Sequence, residues 1–243
     1  MHAFNRCLLR TDPDRRLLIG IAGIPASGKS TFALLIMENI NRLLKSSAGV
    51  EDAMAGKSPP EVVLVNLDGW HLTRAQLDCM PDPKLAHDRR GAHWTFDGEG
   101  YVAFVRLLRE GILSIAEQVI TAPSFDHALK DPTPDAVSIY SHHRIVIIEG
   151  LYAFLSIDPW KEAGLLLDER WLIQTDIGEA TRRIVKRHVL TGVAKDIEEA
   201  KWRAEENDMP STYDLYTLSM PHSVFTLRWP IPSYQFAATY TYY

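Results

Sequence analysis

The residues whose types and spacing could do chemistry begin at Gly23. Gly23-Ile24-Pro25-Ala26-Ser27-Gly28-Lys29-Ser30 is a full match to G-x-x-x-x-G-K-[ST], with Thr31 next. Two glycines allow a tight turn and a close main-chain approach that a Cβ would block. Successive N–H groups can then point inward at phosphate oxygens, at the start of a helix whose dipole also favours an anion. Lys29 is long enough to reach terminal phosphates, and the Ser30 hydroxyl suits a Mg2+ ion shared with them. Gly23 to Thr31 are therefore read as nucleotide-binding residues, with ATP and Mg2+ as the expected ligands. The N-K-x-D element that usually accompanies guanine specificity is absent from the sequence.

Two acids further along could complete a phosphoryl-transfer centre. Ile147-Ile148-Glu149-Gly150 places a carboxylate at the end of an apolar run, where it would face a metal and the terminal phosphate rather than solvent. Glu149 joins Ser30 as a metal-ligand candidate. Asp68, in Leu67-Asp68-Gly69-Trp70-His71, is more than a turn-forming Asp-Gly if its strand ends on the ligand side of a parallel sheet. There it suits the base that takes a proton from an acceptor hydroxyl. Arg182, Arg183 and Arg187 read alone as the basic face of a solvated helix. Beside a phosphate-binding loop they acquire a second reading, as a lid that closes over ATP. Arg183 and Arg187 lie one turn apart on one face, and Arg203 is a weaker candidate.

The elements that must position these residues alternate. Leu17 to Ala22, Val62 to Leu67, Gln118 to Ala122, Arg144 to Ile148 and Arg170 to Gln174 read as strands, most of them without polar alternation, as in a parallel sheet buried on both faces. Lys29 to Lys45, Gly98 to Arg109, Gly178 to Thr191 and Lys195 to Asn207 read as helices. Residues 46–60, 74–93 and 123–134 read as loops, punctuated by glycine, proline or charge. The alternation argues for an α/β fold, a mostly parallel sheet with helices on both faces, and 243 residues suit one such domain.

Bulk composition narrows the partners. With a net charge of -5 and no long Lys/Arg block, a nucleic acid is not expected as the main partner. No apolar run is long enough for a membrane span or signal peptide. Cys7 and Cys79 are far apart and read as reduced thiols. The expectations are thus a cytoplasmic protein, monomer or homodimer, with a small-molecule acceptor as partner and neither nucleic acid nor membrane. Trp70, Trp94 and Phe96 could stack on a planar acceptor or form pocket wall and core.

Taken in order, GIPASGKS, LDGWHL, RRGAHWTFD (Arg89 to Asp97), APSFDHALKDP (Ala122 to Pro132), IIEGLY (Ile147 to Tyr152) and the Arg182/Arg183/Arg187 helix resemble the phosphoribulokinase/uridine kinase group of P-loop kinases. That group includes bacterial-type pantothenate kinase, and the chain looks nearest to a branch with a fungal ATP-dependent kinase. The resemblance implies a three-layer α/β/α P-loop fold with a helical lid at about residues 178–208. It also implies a kinase acting on a hydroxyl of a nucleoside, sugar or pantothenate-like acceptor. By the same resemblance Asp68 is the catalytic base, with Lys29, Glu149, Arg183 and Arg187 also catalytic. His71, Arg89, Arg90, His93, Phe125 and Asp126 are implied to line the acceptor pocket. A regulatory ATP binder and an acceptor-independent ATPase are the rival readings.

The resemblance stops at Asn207-Asp208-Met209-Pro210, which divides the chain into a kinase domain at 1–210 and an atypical tail at 211–243. The tail, rich in Tyr, Ser, Thr and Pro, reads as lacking the last hydrophobic strand that would flank an adenine site.

Overall fold

The computed structural model describes residues 12, 14–47, 61–112, 118–126, 128–209, 224–228 and 238–241. Its main sheet has six strands: β1 (Leu17–Gly23), β2 (Glu61–Asn66), β5 (His143–Glu149), β6 (Glu169–Gln174), β7 (Val224–Arg228) and β8 (Ala238–Thr241). The spatial order is β2-β5-β1-β6-β7-β8. All neighbours are parallel except β7 and β8, which pair antiparallel.

The unbroken apolar runs explain this arrangement. In β1, Leu17, Ile19 and Ile21 enter one core layer while Leu18 and Ala22 enter the other, and β5 divides Ile145/Ile147 from Val146/Ile148 in the same way. A strand with two apolar faces needs a layer on each side. Helix α1 (Lys29–Ser47) supplies one, inserting Phe32, Ala33 and Ile40. Helices α4 (Gly98–Arg109) and α5 (Trp160–Leu166) supply the other. Trp160 packs on Tyr101 with ring centroids 5.5 Å apart.

Two short helices, α2 (Arg74–Asp78) and α3 (Pro83–Asp88), occupy the stretch expected to be a loop. Local signals build both: a Thr73/Gln76 capping box starts α2, and Asp82 caps α3 ahead of Pro83. The proline-marked loop is also corrected. It is an antiparallel hairpin of β3 (Ile120–Asp126) and β4 (Asp131–Ile139), a separate two-stranded sheet. The stretch expected to form the lid consists of α6 (Ile177–Leu190) and α7 (Ile197–Arg203), followed by one π-helical turn at Ala204–Asp208.

The tail is the largest correction. Val224–Arg228 pairs in parallel with β6, from Arg170↔Val224 to Gln174↔Arg228, and Leu227 is buried in the α1-side core. A hydrophobic strand beyond Pro210 therefore exists. Cys7 and the 46–60 loop beyond Ser47 lie outside the described residues. Among the described residues, no helix is long and apolar enough to cross a membrane.

Candidate active site

The glycine-rich loop leaves the sheet between β1 and α1. Ala26 and Gly28 both have positive φ, 59° and 92°, so the loop holds an alanine in a conformation that L-residues rarely adopt. A Cβ on Gly23 would lie 2.6 Å from Ser27 Oγ and 3.0 Å from the Ile173 carbonyl. Glycine is required there for the loop to fold back on β6. Thr175, just past β6, donates from its hydroxyl to the Ser27 carbonyl at 3.1 Å. The Ser27 hydroxyl is itself buried without a hydrogen-bond partner. Lys29 and Ser30 open α1, and the loop is the cradle expected of a phosphate site.

The two acids sit at neighbouring strand ends, because Asn66 of β2 is in register with Glu149 of β5. Asn66 organises both. Its amide nitrogen donates to Glu149 Oε1 at 2.6 Å, and its amide oxygen accepts from the Asp68 N–H at 2.8 Å. The second bond caps the 3-10 turn Leu67–Trp70, which carries Asp68. Gly150 lets this turn come close, since a Cβ there would stand 2.3 Å from Leu67 Cβ. Sequence reasoning passed over Asn66; the available signal was an amide at the strand end, two residues before the acid.

Glu149 is 2% exposed. Burial pushes its carboxyl up from the usual range and Asp68 adds to this, while Lys29 and the nearby Ser30 hydroxyl favour the charged form. Its Oε2 is buried without a well-formed hydrogen bond. A buried acid with an open lone pair, beside a serine hydroxyl and a lysine, matches the donor set that a Mg2+–phosphate group needs. The residues present therefore fit Mg2+ and a nucleoside triphosphate.

The residues expected to line an acceptor pocket have varied partners, and among them His71 meets the Asp68 turn directly. His71 Nδ1 lies 2.8 Å from the Asp68 carbonyl, so it is the protonated nitrogen. The ring packs on Phe96 and Phe125 at centroid distances of 3.9 and 5.0 Å. Arg90 donates to the Leu72 carbonyl and Asp131 at 2.8 and 3.0 Å, and lies over Phe125. Arg89 turns instead to Glu206 of the lid. His93 stands edge-on to Tyr152, whose hydroxyl donates to the Gly91 carbonyl at 3.0 Å. Asp126 accepts from the Ala128 and Leu129 N–H groups, closing the hairpin. Trp70 is buried against Tyr101 and Phe104, and Phe96 is 8% exposed. Of the three rings considered for stacking, only Trp94 is exposed.

On the lid, Glu179 takes both Arg182 and Arg183, at 2.6 and 2.7 Å. Arg187 has no ion pair among the described residues, and with Arg203 and Lys29 it favours the charge on Asp208. Asp208 lies 3.6 Å from His188 Nε2, and burial still pushes its carboxyl up to about 6. The described residues hold one further group with metal-ligand spacing, Glu61, His142 and His143. It lies at the opposite ends of β2 and β5. His143 Nδ1 accepts from the Tyr140 N–H at 2.9 Å, which leaves the proton on Nε2, the nitrogen facing Glu61. That tautomer disfavours a metal.

Comparison with known proteins gives the family. Residues 18–158 match the model of the Phosphoribulokinase / Uridine kinase family. The ATP-dependent kinase-like protein notR' of Aspergillus versicolor is 46% identical over 155 residues, covering 64% of this chain and 90% of that protein. A candidate uridine kinase of Schizosaccharomyces pombe, C227.14, is 34% identical over 206 residues, 85% of this chain and 80% of its own length. The ATP-dependent kinase YFH7 of Saccharomyces cerevisiae is 31% identical over 207 residues, which make up 55% of that protein. Its crystal structure shares the fold at TM-score 0.78 and 23% identity, over 93% of this chain and 98% of the solved one. A structure described as a candidate fructose transport system kinase from Silicibacter sp. does so at TM-score 0.72 and 24% identity, over 94% and 98%. The loop, the paired acids and these relatives together establish that the chain belongs to the phosphoribulokinase/uridine kinase family of P-loop kinases.

Proposed function

We propose that the protein is an ATP-dependent phosphotransferase that moves the γ-phosphoryl group of ATP to a hydroxyl of a small-molecule acceptor. The observation that carries this reading is the Asn66-centred pair of acids. One amide bonds the buried Glu149 carboxylate and, through the Asp68 N–H, holds the turn that carries the half-buried Asp68. A P-loop that only bound nucleotide would have no need of the second.

In this reading the loop N–H groups and Lys29 hold the β- and γ-phosphates. Ser30 and Glu149 would hold Mg2+, which supplies charge neutralisation on the phosphate oxygens. Asp68 accepts the proton of the acceptor hydroxyl as its oxygen bonds to the γ-phosphorus. The bond from that phosphorus to the bridging oxygen breaks, and ADP leaves. Arg187, free of Glu179, is the lid cation best placed to follow the charge in transit. The acceptor is a nucleoside, sugar or pantothenate-like alcohol. We further propose that the protein works in the cytoplasm, as a monomer or homodimer, without nucleic acid or membrane partners.

The test is ADP release measured against a panel of nucleosides, sugars and pantothenate-like alcohols. Acceptor-dependent release is expected. Release independent of any acceptor would instead indicate an ATPase, and ATP binding without turnover a regulatory binder. Asp68→Asn should keep ATP binding and lower transfer by about 10²–10⁴-fold, the usual contribution of a positioned base. Near-normal turnover would remove Asp68 from that role.

A further inference from the structure

We propose that Arg89 is a positioning residue that latches the lid to the acceptor side of the cleft by gripping Glu206. The inference rests on the phosphotransferase reading for the purpose of closure, while the contact stands by itself. The Arg89 guanidinium donates to the Glu206 carbonyl and pairs with its carboxylate at 3.8 Å. The two residues are 117 positions apart in the chain, so the contact joins two parts of the fold rather than two turns of one helix.

The backbone at Glu206 is suited to be gripped. Residues 204–208 form one π-helical turn, closed by the Met209 N–H on the Ala204 carbonyl at 2.9 Å. Such a turn breaks the i→i−4 pattern at the end of α7 and leaves a carbonyl for an outside donor. The same turn is tied to the lid helix α6 twice. Asp208 lies 3.6 Å from His188 Nε2, and the Thr181 hydroxyl lies 3.4 Å from Met209 Sδ. At the other end, Arg89 follows α3 directly and its neighbour Arg90 is anchored on the Leu72 carbonyl, four residues past Asp68. Pulling Glu206 to Arg89 therefore draws the lid toward the turn that carries the candidate base.

The character of the contact favours a latch over a folding staple. The Arg89 and Glu206 side chains are 38% and 56% exposed, and exposed ion pairs add little to stability. A guanidinium that can form and release such a contact cheaply suits a lid that must open in every cycle.

The probe is ATP carrying a fluorescent ribose label, in Mg2+ buffer, chased with excess unlabelled ATP. Arg89→Ala should release it roughly five- to tenfold faster than wild type, with a melting temperature within a few degrees. Arg89→Lys, which keeps the charge but not the fork, should fall between. Lys201→Ala, which breaks an exposed pair within α7, should leave the rate unchanged. If Arg89→Ala melts well below wild type, Arg89→Gln takes its place with the same expected acceleration. Equal release from wild type and the Arg89 variants overturns the latch and leaves the phosphotransferase reading intact. An equal acceleration in Lys201→Ala overturns it too, since any lid change would then suffice. Failure of the wild-type chain to bind the probe sinks both readings.

Discussion

At the scale of single residues, Asn66 links the two acids of the candidate site. Its amide joins Glu149 Oε1 to the Asp68 main chain, so it sets the spacing of the two acids that the proposed phosphoryl transfer uses. Loss of an outer partner of this kind typically costs 10–100-fold. Asn66→Ala is therefore expected to lower the transfer rate by about 10²-fold, with ATP affinity changed by less than about threefold. Turnover kinetics beside an ATP-binding titration would show the split; equal losses in both would place Asn66 in nucleotide binding. The lid arginines separate in the same way. Glu179 holds Arg182 and Arg183, so Arg187→Ala should lower transfer by about 10²-fold or more and Arg183→Ala by much less. Rate measurements on the two variants would decide, and a larger loss for Arg183→Ala would reverse the assignment. The phosphate loop was legible in the sequence because all its parts are contiguous. Asn66 was not, because its role exists only once β2 and β5 lie in register.

At the scale of elements, legibility followed how locally each element is determined. β1, β5 and α1 declare themselves through apolar patterns that their own layers require. The β3–β4 hairpin hid behind Pro123, Pro132 and Pro134, which read as loop. A two-stranded sheet has a free edge on each strand, so it tolerates residues that cannot donate to a ladder. The lid holds the clearest pH-sensitive group. Asp208 is pushed up to about 6 by burial, against the pull of Arg187 on α6, Arg203 on α7 and Lys29 on α1. His188 beside it is held down by burial and by the same two arginines, so it offers little compensating charge. A carboxyl that holds its proton more tightly folded than unfolded penalises the fold as pH rises from about 4 through about 6. At 1.36 kcal/mol per unit, a shift of two units is worth about 3 kcal/mol. Asp208→Asn should therefore stabilise the ligand-free chain by an amount of that order at pH 7.5 and by much less near pH 4.5. Urea denaturation at the two values would show it, and a gain independent of pH would tie the effect to packing instead.

At the scale of the whole molecule, the tail is where sequence and structure part most sharply. Val224 to Arg228 carries no clear strand signal in the sequence, because five residues amid Pro, Ser and Tyr give too short a pattern to stand alone. Its apolar side is defined only by what β6 offers. Trp171 packs on Phe225 with ring centroids 6.3 Å apart, and Trp171 also meets Phe32 of α1. Leu227, 8% exposed, joins Leu17, Ile21 and Ile173 in the α1-side core. Through these contacts β7 supports the helix that begins with Lys29 and Ser30, so the tail bears on the phosphate loop indirectly. Removing a buried leucine side chain costs about 2–5 kcal/mol, and Leu227→Ala should cost an amount toward the lower end, since among the described residues the sheet continues beyond β7 only as β8. The substitution should lower the urea midpoint and shift the tryptophan emission of the native state to the red as water reaches Trp171. ATP affinity should weaken only in proportion to the unfolded fraction. A Leu227→Ala protein as stable as wild type would mean that β7 is not part of the cooperative core, and the kinase fold would then end before the tail.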